Sequence, residues 1–199
     1  MLELYVAPIT ECDMSRELMP RERHAEVFGT KNEKTRREKY LVWLLLEHAL
    51  RESLGISIAE AELSKNENGK WISPHCYLSL THGGGAVAVA LSDAPVGVDA
   101  ESEIAPRSHG FAERIMTEGE LSTYLSLEER ERTAFLTECW TGKESMFKLR
   151  GEKAFIPSSY DTRTAMTTAM RLDVSGKEIV ISVASDRCDE LSVHLLDEI

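Results

Sequence analysis

Between residues 77 and 99 the chain makes three short apolar runs, 77–80, 86–91 and 96–99, separated by Thr-His-Gly-Gly-Gly and by Asp93-Ala94-Pro95. Runs of this length, bounded by glycine and proline, read as strands rather than helices. A cluster of strands must bury a face, so the chain has to supply helices long enough to cover it. Two segments qualify. Over 33–53, Tyr40, Leu41, Leu44, Leu45, His48 and Ala49 recur at three- and four-residue steps, with Gly55 as the stop. A second helical pattern runs from about 126 to 149 and ends at Gly151; Ser126 and Glu129 suggest a capping box at its start. A strand is expected over 2–6, a turn at Asn66–Gly69, a loop at Pro106, and short helices over 111–116 and after a Thr117/Glu120 capping box. Segments 178–184 and 191–196 alternate as strands and suggest a terminal hairpin. The order of elements predicts an α+β protein of two comparable halves that divide near residues 95–100, here taken as 1–98 and 99–199.

With 199 residues the chain suits one domain or two small lobes sharing a core. Its 34 acidic and 23 basic side chains leave a net charge of −11, which counts against a general nucleic-acid binder. The longest apolar stretch, 41–46, is far too short to span a bilayer. No basic segment followed by an apolar run opens the sequence, so no signal peptide is expected. Cys12, Cys76, Cys139 and Cys188 stand far apart with no Cys-x-x-Cys pair, as expected of free thiols in a reducing compartment. A cytoplasmic protein without membrane contact is the expectation.

Four places can carry chemistry. Gly83, Gly85 and Ala88 fit the spacing of a dinucleotide fingerprint, but that device requires a helix directly after the glycines. The following Ala-Val-Ala-Val-Ala-Leu reads as a strand, so the glycines are assigned to a tight strand connection, and His82 beside them is structural or ligand-facing. Asp99 and Glu101 alternate on one side of an extended chain and together could hold a hard cation such as Mg²⁺. Alone, such a pair is equally a solvated strand edge. Glu144 and Lys148 share a helix face with Trp140. A surface ion pair there is worth about 0.3–0.5 kcal/mol, but the helix is apolar on more than one side, and Gly142 costs about 1 kcal/mol in a helix interior. A close neighbour, chain or ligand, is expected at Gly142. Last, residues 31–39 hold five cations against two carboxylates, a local +3 within the acidic chain, with Arg21 and Arg23 shortly before. They form a solvated face or a phosphate-binding surface.

Leu-Ser-Leu-Thr-His-Gly-Gly, then Val-Gly-Val-Asp-Ala-Glu, then Trp-Thr-Gly-Lys-Glu-Ser-Met-Phe-Lys about 40 residues later occur in one order. This arrangement resembles the 4′-phosphopantetheinyl transferase superfamily, in its surfactin-synthetase-activating (Sfp-like) branch, from roughly Pro20 to Pro157. The resemblance implies two similar α/β lobes related by pseudo-twofold symmetry with the active site between them. It places Asp99, Glu101 and Glu144 as Mg²⁺ ligands, and Glu144 and Lys148 as catalytic residues. It places Thr81 and His82 at the coenzyme A phosphates, Lys70 of Gly69-Lys70 near the nucleotide end, and Arg21, Arg23 and Arg37 at the 3′-phosphate. The implied partners are coenzyme A, as substrate, and an apo acyl or peptidyl carrier protein; a monomer is expected. Trp71 stands where a proline commonly follows Gly-Lys, and Ala100 stands between the two acids. The segment after Pro157 is short, so a hairpin of longer relatives is expected to be absent.

Two other classes compete. A Mg²⁺-dependent nuclease also uses paired acids and a lysine, but its acid-x-lysine spacing is missing around Glu144 and the net charge is unfavourable. A non-catalytic binder of coenzyme A or of carrier proteins would share the fold; the joint presence of Asp99, Glu101, Glu144 and Lys148 argues against it.

Overall fold

The computed structural model describes residues 1–14, 19–105, 110–163, 167–187 and 189–199. Pro106 and Cys188, both named above, lie outside the described residues. In chain order the elements are β1 (Leu2–Pro8), α1 (Arg21–Phe28), α2 (Glu33–Leu54), β2 (Ser64–Lys65), β3 (Trp71–Ile72), β4 (Tyr77–Gly83), β5 (Ala86–Ser92) and β6 (Val96–Glu101). There follow α3 (Phe111–Ile115), α4 (Glu118–Ser126), α5 (Glu129–Arg150), a 3₁₀ turn at Pro157–Ser159, β7 (Thr167–Val174), β8 (Lys177–Ser185) and β9 (Ser192–Leu195).

Strand alternation builds the layers. Every residue of β5 is buried, so both of its faces are covered. Val87, Val89 and Leu91 point into a cluster with Tyr40, Leu41, Trp43, Leu44 and Leu45 of α2. Ala86, Ala88 and Ala90 face the other way, against Val96, Val98 and Ala100 of β6 and Ile179, Ile181 and Val183 of β8. The small side chains on that second face let two sheets approach back to back. The first sheet has the order β4-β5-β1-β9 and the second β6-β8-β7. Helix α2 covers the outer face of the first, and α5 lies over β6 and β8 of the second. The result is helix, sheet, sheet, helix. A two-stranded ribbon, β2-β3, completes the strands.

Several sequence expectations are met. Gly55 closes α2 in the left-handed conformation; Asn32, which the sequence reading did not single out, caps its start by accepting from Thr35 N. The Thr117/Glu120 capping box is present in both directions, and Gly151 ends α5 at φ 63°. Cys12, Cys76 and Cys139 are free thiols. Burial pushes the Cys76 thiol up to about 11 and Cys139 to about 12, the latter with a further contribution from Glu120, so both behave as inert core groups. Among the described residues, no helix is long and apolar enough to cross a membrane.

Others need correction. The cap of α5 is Glu128, paired with Glu131, because Ser126 is still the last residue of α4. The terminal hairpin does not form. β8 pairs antiparallel with β6 and β7, while β9 crosses to the first sheet and runs parallel to β1. A parallel pair cannot be closed by a tight turn. The chain after Pro157 carries three strands, β7, β8 and β9.

Close approach of α5 to β6 depends on Gly97. A Cβ there would overlap the carbonyl oxygen of Ser145 and lie 2.5 Å from the Leu149 amide nitrogen, both helix backbone that cannot yield. The neighbour expected at Gly142 is chain: its Cβ would come 2.8 Å from Thr162 Cγ2.

A buried ion pair fixes the rotation of α5. Lys143 and Glu120 are both fully buried, with Nζ 2.6 Å from Oε2. Lys143 also donates to the carbonyl of Tyr160. Glu120 Oε1 accepts from Thr162 N at 2.9 Å and Thr162 Oγ1 at 2.7 Å, and Oε2 accepts from Thr117 N at 2.8 Å. Burial alone would raise the Glu120 carboxyl, but Lys143 and these donors together hold it below the usual carboxylate range. Lys143→Ala is expected to destabilise the fold by about 3–5 kcal/mol, because it strands a buried carboxylate; urea unfolding monitored by circular dichroism measures this. Gly97→Ala is expected to lower the urea midpoint as well, with an unchanged midpoint refuting the close packing of α5 on β6.

Candidate active site

The site forms where β4, β6 and α5 meet. Gly83 and Gly84 make that meeting possible. A Cβ on Gly83 would overlap the Ala100 carbonyl oxygen, and one on Gly84 would overlap Ser102 N. Gly84 and Gly85 turn the chain at φ 66° and 107°, values that favour glycine. The glycine run thus lays the end of β4 against the end of β6, and puts Thr81 beside Asp99.

Three side chains from three elements converge there. Thr81 Oγ1 donates to Asp99 Oδ1 at 3.0 Å. Lys148 Nζ reaches from α5 to Asp99 Oδ1 at 2.6 Å and to Thr81 Oγ1 at 3.1 Å. Asp99 is almost wholly buried, whereas about a quarter of the Lys148 side chain remains accessible. Glu144 lies one turn before Lys148 and is partly buried. Its carboxyl is raised, first by burial and then by the charge of Asp99, with Glu101 adding to the same effect and Lys148 opposing it. Three carboxylates thus share one region.

Among the described residues, no group of three His, Cys, Asp or Glu side chains is already arranged as a metal cage. The residues nevertheless fit a hard cation. Asp99 Oδ2 is buried and has no hydrogen-bond partner, an orphaned acceptor of the kind that otherwise carries a desolvation cost. Carboxylate oxygens are donors that Mg²⁺ takes, one or two at a time with waters or phosphates completing the shell.

His82 stands next to Thr81 at the end of β4. Its Nδ1 lies 3.3 Å from Glu38 Oε2 of α2. Burial lowers the ring to about 4, helped by the charges of Lys148, Arg23 and Lys39, so the ring is neutral at pH 7.

The basic residues behave differently from one another. Lys70 directs its ammonium at backbone: Nζ donates to Lys148 O at 2.6 Å and Val96 O at 3.1 Å, and approaches Leu149 O at 3.5 Å. It ties the β2-β3 ribbon to the C-terminal end of α5, and burial lowers its pKa. Arg23 is buried over the Trp43 ring and donates to Glu26 at 3.1 Å and to Lys39 O; burial lowers it to about 10. Arg37 pairs with Glu11 and, at 3.4 Å, with Glu33. Arg21 is exposed at the first turn of α1. The structure therefore brings Thr81, His82, Asp99, Glu144 and Lys148 together, sets Lys70 beneath Lys148, and engages Arg23 and Arg37 in internal pairs.

Beside Lys148 a cavity of about 260 Å³ opens between the ribbon, β4 and α5, with Trp71, Leu78, Leu80 and Phe147 among its walls.

A model of the 4′-phosphopantetheinyl transferase superfamily matches residues 95–178, the stretch that holds Asp99, Glu101, Glu144 and Lys148. Over that stretch the chain is similar to this superfamily. The 4′-phosphopantetheinyl transferase psf-1 of Bacillus pumilus is 31% identical over 112 residues, 55% of this chain and 48% of that protein. The 4′-phosphopantetheinyl transferase gsp of Aneurinibacillus migulanus is 30% identical over 115 residues, 57% of this chain and 48% of its own. The chain spans about half the length of the curated relatives it matches.

Sequence reasoning missed two residues, Lys143 and Glu38. Lys143 was passed over although Leu136, Cys139, Lys143 and Met146 fall on one helical stripe; a lysine on a buried stripe demands a buried partner. Glu38 was counted only as a charge within the basic segment, and no sequence spacing links it to His82. Lys148→Met is expected to leave Asp99 buried without its cation and so to lower the thermal midpoint measurably in scanning calorimetry, with an unchanged midpoint contradicting the pair.

Proposed function

We propose that the protein transfers the 4′-phosphopantetheine arm of coenzyme A to a serine hydroxyl of an apo acyl or peptidyl carrier protein, releasing adenosine 3′,5′-bisphosphate. The observation that carries this reading is the convergence of Lys148 and Thr81 on the buried Asp99, with Glu144 one turn away. The match of residues 95–178 to the superfamily model and the likeness to two 4′-phosphopantetheinyl transferases support it.

The reaction is a displacement at phosphorus, so the protein's work is positioning and charge control. Glu144, with its raised affinity for protons, takes the proton of the serine hydroxyl as that oxygen attacks. The bond from phosphorus to the departing bisphosphate breaks, and Lys148 balances the charge that appears on the leaving oxygen. Thr81 and His82 hold phosphate oxygens at the mouth of β4. The apolar walls beside Lys148 suit the neutral pantetheine arm. Arg21, the largely buried Arg37 and Lys70 complete the nucleotide end, with Arg23 acting on His82 through its charge. Mg²⁺ held by Asp99, Glu101 and Glu144 would neutralise pyrophosphate charge when bound.

All of these side chains belong to one chain, which supports a monomer as the active unit. The two helix-on-sheet halves are read as lobes related by pseudo-twofold symmetry, with 1–98 carrying the nucleotide segments and 99–199 most of the metal and catalytic residues. A cytoplasmic location, away from membranes and nucleic acid, agrees with the acidic charge and the free thiols.

Intact-mass spectrometry of an apo carrier protein incubated with coenzyme A and Mg²⁺ is expected to show addition of one phosphopantetheine. Glu144→Gln is expected to slow the reaction by about a hundredfold or more, and chelation of Mg²⁺ to abolish it. Binding of coenzyme A without any mass shift across several carriers would instead establish a non-catalytic binding module.

A further inference from the structure

We propose that Glu38 is a positioning residue for His82: its carboxylate fixes the ring with the proton on Nδ1, so that Nε2 is the nitrogen given to a phosphate group of the ligand. This rests on the reading of the site as one that binds coenzyme A.

Glu38 sits where the sequence suggested a basic, phosphate-binding helix face, yet it is buried. The cations around it are largely committed elsewhere. Arg36 Nε donates to Thr30 O at 3.0 Å and Lys39 Nζ to Thr30 Oγ1 at 3.1 Å. Lys34 approaches Glu38 Oε1 only at 3.9 Å, from an exposed side chain. What α2 sends to the site is therefore an acid, with Oε2 3.3 Å from His82 Nδ1. A carboxylate next to a phosphate site repels the ligand unless something lies between them. His82 is that group.

The charges facing the ring come from every side. Lys148 reaches from α5, Arg23 from α1 and Lys39 from α2; Asp99 of β6 is paired with Lys148, and Glu144 lies one turn before it on α5. The β5 residue paired with His82 is Val87, which carries no charge. The three cations and burial keep the free ring neutral, with one N–H to place. An ionised carboxylate only accepts, so that N–H belongs on Nδ1. A phosphate oxygen also only accepts and meets a bare Nε2 unfavourably. Its negative charge then draws a proton from solvent onto Nε2, and the imidazolium bridges phosphate and Glu38. Glu38 offsets the surrounding cations and makes this charged state attainable. Binding of coenzyme A is thereby linked to uptake of a proton.

Two measurements on the whole protein test this separately from the function. Long-range ¹H–¹⁵N spectra of histidine-labelled protein, with His82 assigned from a His82→Gln variant, are expected to show the Nδ1–H tautomer at pH 7 and its loss in Glu38→Ala. Calorimetric titration of coenzyme A in PIPES and in Tris, whose ionisation enthalpies differ, is expected to show uptake approaching one proton per ligand in the wild type. In Glu38→Gln, which is close in shape, uptake is expected to fall by more than half and affinity at pH 7 by about tenfold, one pH unit of linkage. Coenzyme A binding with no proton uptake, or the same uptake in Glu38→Gln, overturns the proposal. If no variant binds coenzyme A, the functional reading fails, and the tautomer alone decides: its loss in Glu38→Ala upholds the role of Glu38, its persistence overturns it.

Discussion

The pairing of Lys143 with Glu120 is the constraint on which the geometry of α5 depends. Both groups are completely buried, so neither is stable without the other. Glu120 opens α4, Thr162 and the Tyr160 carbonyl belong to the segment after the 3₁₀ turn, and Lys143 lies in the middle of α5. One ion pair thus joins three pieces of chain, between the apolar clusters that α5 forms with α4 and with Tyr160. Because successive helix residues differ by about 100° in direction, fixing Lys143 inward also fixes where Glu144 and Lys148 point. The adjacency of Lys143 and Glu144 in the sequence has a division of labour behind it: the first anchors the helix and the second joins the carboxylates beside Lys148.

The same economy of placement applies to charge. Lys148 and Asp99 hold each other at 2.6 Å, yet one oxygen of Asp99 stays buried and unpartnered, and the neighbouring Glu144 is pushed toward its protonated form. A site of this kind carries excess negative charge that folding alone does not compensate. Its residues are held there by the fold, through Gly83, Gly84 and Gly97, against their own electrostatic preference. Such conflict between local stability and arrangement is what a ligand of opposite charge relieves.

Much of this was legible in the sequence, and the limits have physical reasons. β5 could be read because both of its faces are buried, and α2 because its apolar stripe and its glycine stop agree. β7 could not: most of its residues are exposed or half-exposed, so burial imprints no clear period on Thr167–Val174. The partner of β9 was unreadable for a different reason, since alternation shows that a strand exists and says nothing about which edge it joins. Of the site, Asp99, Glu144 and Lys148 were readable as a pattern of residue types. The contact of Glu38 with His82 joins residues 44 apart through the packing of α2 on the first sheet, and no local rule encodes it.

The basic segment shows how a charge count misleads. Residues 31–39 carry a formal +3 within a chain of −11, which invites a picture of an open cationic surface. In the folded protein Arg36 and Lys39 bind Thr30, Arg37 binds Glu11 and Glu33, and Arg23 packs on Trp43 and binds Glu26. These cations act chiefly as struts between α1, α2 and the chain preceding them. Their influence on the site is indirect, through the field they place on His82. A cation held in a buried or half-buried pair is screened less by salt than an exposed one, so that field persists at ionic strengths where an open basic surface would lose its pull on a phosphate. The electrostatics at the junction of β4, β6 and α5 are therefore set by a few fixed groups, and their arrangement matters more than the total of basic residues.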